Sequence, residues 1–136
     1  MLVVVTSPDH ELAGLDEVNF LDTLKYDQVC LQEGNAIGAF LRQIAGEYQR
    51  VQRTRIRVAN FEAACRIIEA NVAIGIVPES SVLRYAKSMR IRHARLSDDW
   101  SVRNLSICVK CRESLPGSAR DLIDMMLDDL ALTVAA

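Results

Sequence analysis

Glu69-Ala70-Asn71-Val72-Ala73-Ile74-Gly75-Ile76-Val77-Pro78-Glu79-Ser80-Ser81 is the stretch on which the fold turns. Asn71 stands where a helix needs a left-handed stop, a conformation that asparagine tolerates better than most residues. Residues 73–77 form an apolar run short enough for a buried strand, and Pro78 then opens a helix to about Lys87. Upstream, Phe61, Ala64, Cys65 and Ile68 make the inner face of a helix over 61–70, and the alternation of 55–59 is that of a strand. Before it, Gly34-Asn35 opens a helix whose apolar stripe is Ala36, Ile37, Phe40, Leu41, Ile44, Ala45 and Tyr48. Val29-Cys30-Leu31 reads as a buried strand, and residues 91–95 as another. The order β-α-β-α-β-α-β with short connections predicts an α/β fold, a mainly parallel sheet covered by helices.

The ends differ. Leu2-Val3-Val4-Val5 is a strand closed by Ser7-Pro8, and Asp16 is expected to cap a short helix through Leu24. Residues 96–100 read as a turn with Trp100 as a packing anchor. Residues 105–109 alternate like a strand, and Pro116 starts a final helix with the stripe Leu122, Ile123, Met126, Leu127 and Leu130.

The chain has 136 residues, half of them apolar, and four cysteines. That length supports one ordinary core, and the apolar content excludes a disordered chain. No apolar run approaches the roughly 20 residues of a membrane span, and residues 1–5 lack the basic start of a signal peptide. A cytoplasmic protein with reduced thiols is expected. The net charge of −2 conceals an acidic start, a basic middle over 36–95 and an acidic end. Arg53, Arg55 and Arg57 share one face of a strand, and Arg90-Ile91-Arg92-His93-Ala94-Arg95 alternates similarly. Without interleaved aromatics, zinc-finger spacing or a recognition helix, these read as solvated strand faces rather than a DNA-reading surface.

Ligands of an open parallel sheet bind outside the carboxyl ends of its strands. Three loops stand there: 32–36, Asn60-Phe61, and Pro78-Glu79-Ser80-Ser81. Each offers helix N-terminal amides, which suit a carboxylate or another small anion. Asn35, Asn60, Ser80 and Ser81 can equally be plain helix caps. Enzyme signals are weaker. Cys108-Val109-Lys110-Cys111 has no second pair, and neither His10 nor His93 has metal-ligand spacing to it. Cys30 and Cys65 read as core residues. Asp98-Asp99 and Asp128-Asp129 are adjacent pairs whose side chains diverge, so neither forms a cooperating acid and base. No nucleophile elbow, phosphate-binding loop or dinucleotide fingerprint is present. No catalytic residue, metal or cofactor is expected.

These pieces, with Pro8-Asp9-His10-Glu11-Leu12-Ala13, Asn60-Phe61-Glu62-Ala63-Ala64-Cys65, Leu96-Ser97-Asp98-Asp99-Trp100-Ser101-Val102-Arg103 and Leu115-Pro116-Gly117-Ser118-Ala119-Arg120, resemble the effector-binding domain of LysR-type transcriptional regulators. The resemblance runs from residue 1 to about residue 131 and implies a type II periplasmic-binding-protein fold. It departs from the family at Asn71 and Ala73, where two glycines are usual. It also implies an N-terminally truncated fragment, because the helix-turn-helix and the start of one lobe do not precede Met1. Residues 1–136 would then be a partial effector-binding domain. Residues 8–100 would form the complete second lobe, and 1–7 and 101–136 the crossing strands (2–6 and 103–111) and closing helix of an incomplete first lobe.

The implied function is sensing rather than catalysis. A small inducer would sit in the cleft between lobes against Gly34, Asn35, Ala36, Asn60, Phe61, Val77 and Pro78. Homo-oligomers are implied, with DNA contacted only through the missing N-terminal domain and no membrane partner. Apolar surface left by the incomplete lobe predicts self-association. The competing expectation is a stand-alone small-ligand-binding or metabolic α/β domain, complete within one chain.

Overall fold

The computed structural model describes every residue except Leu105 and Ala136, and the side chains up to Asp129 and Leu130. It divides into two units, Met1–Arg103 and Asn104–Ala136.

The first unit carries the α/β alternation. Strands β1 (Leu2–Thr6), β2 (Glu17–Val18), β3 (Gln28–Leu31), β4 (Thr54–Val58), β5 (Gly75–Pro78) and β6 (Arg92–Leu96) are joined by helices α1 (Phe20–Thr23), α2 (Ala36–Glu47), α3 (Phe61–Glu69) and α4 (Glu79–Tyr85). Single 3-10 turns stand at Glu11–Gly14 and Asp99–Ser101. Four strands pair in the order β2-β6-β1-β5, and β3 pairs with β4. A parallel bridge between Gln28 and Ile74 links the two ladders. β1 alone runs against its neighbours, Val4 standing opposite Ile76 on β5 and Ala94 on β6.

All five residues of β1 are buried, as expected of a strand covered on both faces. Their alternation divides the core in two. Leu2 and Val4 join Phe20, Leu41, Ile44, Ile76 and Leu96 on the α1 and α2 side. Val3 and Val5 join Val29, Ala64, Cys65, Ile68 and Val82 on the α3 and α4 side. Each burial of such an aliphatic side chain contributes about 1.5–3 kcal/mol.

Asp16 does not cap a helix: its carbonyl accepts the Arg95 N–H, and α1 is a single turn capped by Asn19. Val18 and Phe20 are buried while Glu17 and Asn19 are exposed, so this segment has the strand's period of two where a helix was expected. Trp100 is the packing anchor, edge-on to Phe20 at 5.2 Å and to Phe40 at 5.4 Å between ring centroids. Asp98 holds the Phe20 N–H at 2.8 Å through its carboxylate.

Asn71 takes φ +55° and ends α3, its N–H donating to the Ile68 carbonyl at 2.9 Å. Asn71→Gly is expected to leave stability within about 0.5 kcal/mol, whereas Asn71→Val should lose about 1–2 kcal/mol, read from urea midpoints.

In the second unit, α5 (Gly117–Ala135) matches the expected closing helix. The strand expected over 103–111 does not form among the described residues: 106–109 carry no regular structure and pair with nothing. Alternation supplies a strand's pattern but not the neighbouring edge that would hold it. Arg112 pairs with Asp124 on α5.

Candidate functional site

The carboxyl ends of β3, β4 and β5 reach one edge of the first unit, and each chain segment there turns directly into a helix. Gly34 has φ +90°, a left-handed turn that releases the chain from β3 into α2. Asn35 caps α2, its Oδ1 accepting the Ile37 and Gly38 amides at 2.9 and 3.2 Å. Asn60 caps α3 by accepting the Ala63 amide at 2.9 Å. The side-chain oxygens of both asparagines are thus engaged as caps. What remains at the helix starts are the first-turn amides of Ala36, Phe61 and Glu62, which have no intrahelical partner. Ser80 and Ser81 cap nothing: Pro78 precedes α4 and supplies no side-chain bond.

Between the starts of α2 and α3 lies a cavity of about 20 Å³ lined by Asn35 and Phe61 from two of the three loops and by Val77 on β5, while Pro78-Glu79-Ser80-Ser81 contributes nothing to it. Gly34, Ala36, Asn60 and Pro78 flank these in the chain without lining it. The cavity opens where the sheet parts. Val29 N–H donates to Ile74 O at 2.8 Å and Ile74 N–H to Asp27 O at 3.0 Å, after which β3 and β5 share no further backbone bond. Gly75 makes the junction possible, because a Cβ there would stand 2.8 Å from Ile68 Cδ1 and 3.3 Å from Val29 Cγ1.

Among the further lining residues, three with polar side chains lay outside the predicted site: Gln28, Cys30 and Gln52. Gln28 is 1% exposed and accepts Gln52 Nε2 at 3.1 Å through Oε1. Its own amide donates to the Thr23 carbonyl at 3.1 Å. A polar residue at the head of an apolar strand was the available signal, but its partner Gln52 lies 24 residues away in sequence. Cys30, expected in the core, is half-buried, its Sγ 3.5 Å from Thr54 Oγ1. Cys65 is a core residue, and burial pushes its thiol up to about 11.

No Asp, Glu, Lys, Arg or His lines the cavity, so the edge offers oriented amides and amide side chains rather than an ion pair. An opening of this size holds about a water molecule, whereas pockets that enclose a small organic ligand run to a few hundred Å³. Among the described residues no group of three His, Cys, Asp or Glu side chains could hold a metal, and no helix is long and apolar enough to cross a membrane.

A family model described as LysR substrate binding domain matches residues 1–131. Solved structures similar to the chain include the effector binding domain of QuiR in complex with shikimate, at 20% identity and TM-score 0.64, covering 71% of this chain and 45% of that one. The Synechocystis PCC6803 CcmR regulatory domain in complex with 2-PG matches at 16% identity and TM-score 0.62, over 71% of this chain and 46% of that one. A Pseudomonas aeruginosa protein assigned to the LysR family transcriptional regulators matches at 14% identity and TM-score 0.68, over 95% of this chain and 45% of that one. The chain therefore spans less than half the length of these structures, and the likeness shows a shared fold, the type II periplasmic-binding-protein-like architecture. No curated protein matches the chain significantly in sequence.

Proposed function

The chain belongs to the LysR substrate binding domain family, and we propose on that basis that it is the effector-sensing part of a transcriptional regulator and not an enzyme. In this reading residues 8–100 make up the complete second lobe, packed around β1, and 1–7 and 101–136 supply the crossing segments and closing helix of an incomplete first lobe. A small carboxylate or similar anion binds at the edge formed by Gly34, Asn35, Ala36, Asn60, Phe61, Val77 and Pro78. The observation that carries the proposal is the convergence of Asn35 and Phe61, from two separate loops, and Val77, from the end of β5, on one cavity beside unpaired helix amides. Shikimate, the ligand in the QuiR complex, is such a carboxylate. A differential affinity of a few kcal/mol for one arrangement of lobes suffices to shift a regulator between states.

One wall of a cleft gives few contacts, so binding to this chain alone is weak. In an amide-resolved titration with shikimate, the Ala36, Phe61 and Glu62 resonances are expected to move with a dissociation constant of about 1–10 mM. Phe61→Ala should weaken that binding several-fold. Shifts confined to other amides, or none at about 20 mM, would sink the proposal.

Oligomerisation belongs to the same reading. Leu122, Met126, Leu127 and Leu130 on α5 are each 46–55% exposed. Sedimentation velocity is expected to show self-association at about 100 µM, reduced in Leu127→Lys/Leu130→Lys. A clean monomer at that concentration counts against it.

A further inference from the structure

The two arginine clusters of the basic middle have different surroundings. Arg53, just before β4, and Arg55 on it both reach the carboxylate of Asp27, at 3.1 Å each, and Arg53 also donates to the Lys25 carbonyl. Asp27 thus draws two of the three arginines 53, 55 and 57 onto itself.

The second cluster has no such partner. From Ser80 to Ser97 the sequence contains no acidic residue, yet it contains Arg84, Lys87, Arg90, Arg92, His93 and Arg95. All six side chains are exposed, and none forms an ion pair among the described residues. The carboxylate that comes to this segment is Glu69, and it is already engaged. It accepts the Arg90 backbone N–H at 2.7 Å and the Arg66 guanidinium at 3.0 Å, and these bonds, with the charges of Arg66 and Arg90, hold it below the usual carboxylate range. Two other carboxylates stand nearby without pairing: Glu17 opposite Arg95 across β2 and β6, and Asp16 beside Arg92 and His93.

The fold gathers Arg84, Lys87, Arg90 and Arg92 at one end, whereas Arg95 stands opposite Val3 on β1, level with Val77 of the candidate site, and on the other face of β6 from Arg92. α4 leads away from the candidate site, the chain turns through residues 86–91, and β6 begins at Arg92, beside Thr6 at the end of β1. β2 pairs only with Arg95 and Leu96, so Arg92 and His93 have no ladder partner on that side and stand beside the segment 13–16. Arg92 and His93 also wall a surface depression of about 440 Å³ with His10 and Pro8. Met89 and Ile91 turn into the core at 6% and 7% exposure, so the ledge presents charge, with Leu83 its one exposed large apolar side chain. Protein partners are usually anchored by buried aromatic or apolar groups, which this ledge lacks.

We propose that this ledge, Arg84, Lys87, Arg90 and Arg92 with His93, docks on the phosphate backbone of duplex DNA. Guanidinium groups match phosphate oxygens in a bidentate geometry, and each phosphate neutralised releases condensed counterions. Nothing on the ledge reads base edges, so the contact is independent of sequence and distinct from that of any sequence-reading helix. The inference rests on charge and placement alone and stands apart from the effector proposal.

The test uses the whole chain and a fluorescent 30-base-pair duplex of arbitrary sequence, followed by anisotropy from about 20 to 200 mM salt. The expected dissociation constant is on the order of 10–100 µM at the lowest salt, the same for an unrelated sequence, with a log-log salt slope near −3. Arg84→Gln/Lys87→Gln/Arg90→Gln/Arg92→Gln should weaken binding at least about 10-fold and flatten the slope, while the all-lysine set retains most of it. Arg53→Gln/Arg55→Gln should bind like the parent. The proposal is overturned by salt-independent or undetectable binding, by equal loss in both glutamine sets, or by tighter binding to polyglutamate of matched charge, which would make an acidic protein segment the occupant.

Discussion

Phe20→Ala is expected to lower the unfolding free energy by about 3–5 kcal/mol, the range for removing a fully buried aromatic ring from a packed core. Phe20 is 0% exposed and lies in the α1 and α2 half of the core with Leu2, Leu41 and Ile76. Its ring meets Trp100 edge-on at 5.2 Å, an arrangement worth about 0.5–1.5 kcal/mol beyond burial. Its N–H is held by Asp98 at 2.8 Å, so the ring and the backbone together tie α1 to the turn after β6. The substitution leaves the backbone bond intact, and the loss therefore reports the ring alone. Urea unfolding followed by the fluorescence of the single tryptophan, Trp100, gives the measurement. The midpoint should fall with the slope unchanged, and the folded emission of Trp100 should shift as one wall of its packing disappears. Leu83→Ala, at a side chain 56% exposed, should stay within about 0.5 kcal/mol. A loss at Phe20 no larger than at Leu83 would mean that the two halves of the core do not depend on this ring.

The contrast between Phe20 and its own segment shows where sequence periodicity stops. Long amphipathic runs were legible: α2 and α3 start at Ala36 and Phe61, immediately after the asparagines that cap them. Asn71 was legible as a helix stop because the requirement is local, a left-handed φ that few residues accept. Residues 16–24 were not, since a two-residue strand and a one-turn helix leave too few positions to separate a period of 2 from one of 3.6. The direction of β1 was equally hidden. A run buried on both faces looks the same whether it is parallel or antiparallel to its neighbours, and only pairing with β5 and β6 decides it. The same division runs through the candidate site. Loop residues that cap helices announce themselves, because their chemistry acts within three residues. Gln28 and Gln52 do not, because their bond joins positions 24 apart and depends on β3 and β4 being neighbours.

That buried amide pair carries the most informative substitution. In Gln28→Glu the new side chain has the shape of the old one but not its chemistry. Gln28 accepts Gln52 Nε2 through one atom and donates through the other to the Thr23 carbonyl at 3.1 Å. A protonated carboxylic acid reproduces both roles, its carbonyl accepting and its hydroxyl donating. An ionised carboxylate loses the donor, faces the Thr23 carbonyl with like charge density, and sits in a position 1% exposed. Burial therefore raises the folded-state value above the unfolded one near 4.3. With the folded value raised, the group's stabilisation is fully present below about pH 4.3 and is lost as pH climbs toward the folded value. The variant should nearly match the parent at about pH 4 and lose about 1.4 kcal/mol per pH unit above that, reaching roughly 3–4 kcal/mol at pH 7 if the shift is near three units. Gln28→Leu supplies the comparison: it strands the Gln52 amide and the Thr23 carbonyl at every pH, costing about 1–3 kcal/mol without that slope. Chemical unfolding of the three proteins across pH 4–7.5 separates the two behaviours. Parallel curves for the glutamate and leucine variants would show that position 28 is open to water, and that the amide chain behind Asn35 and Phe61 does not hold this wall of the cavity in place.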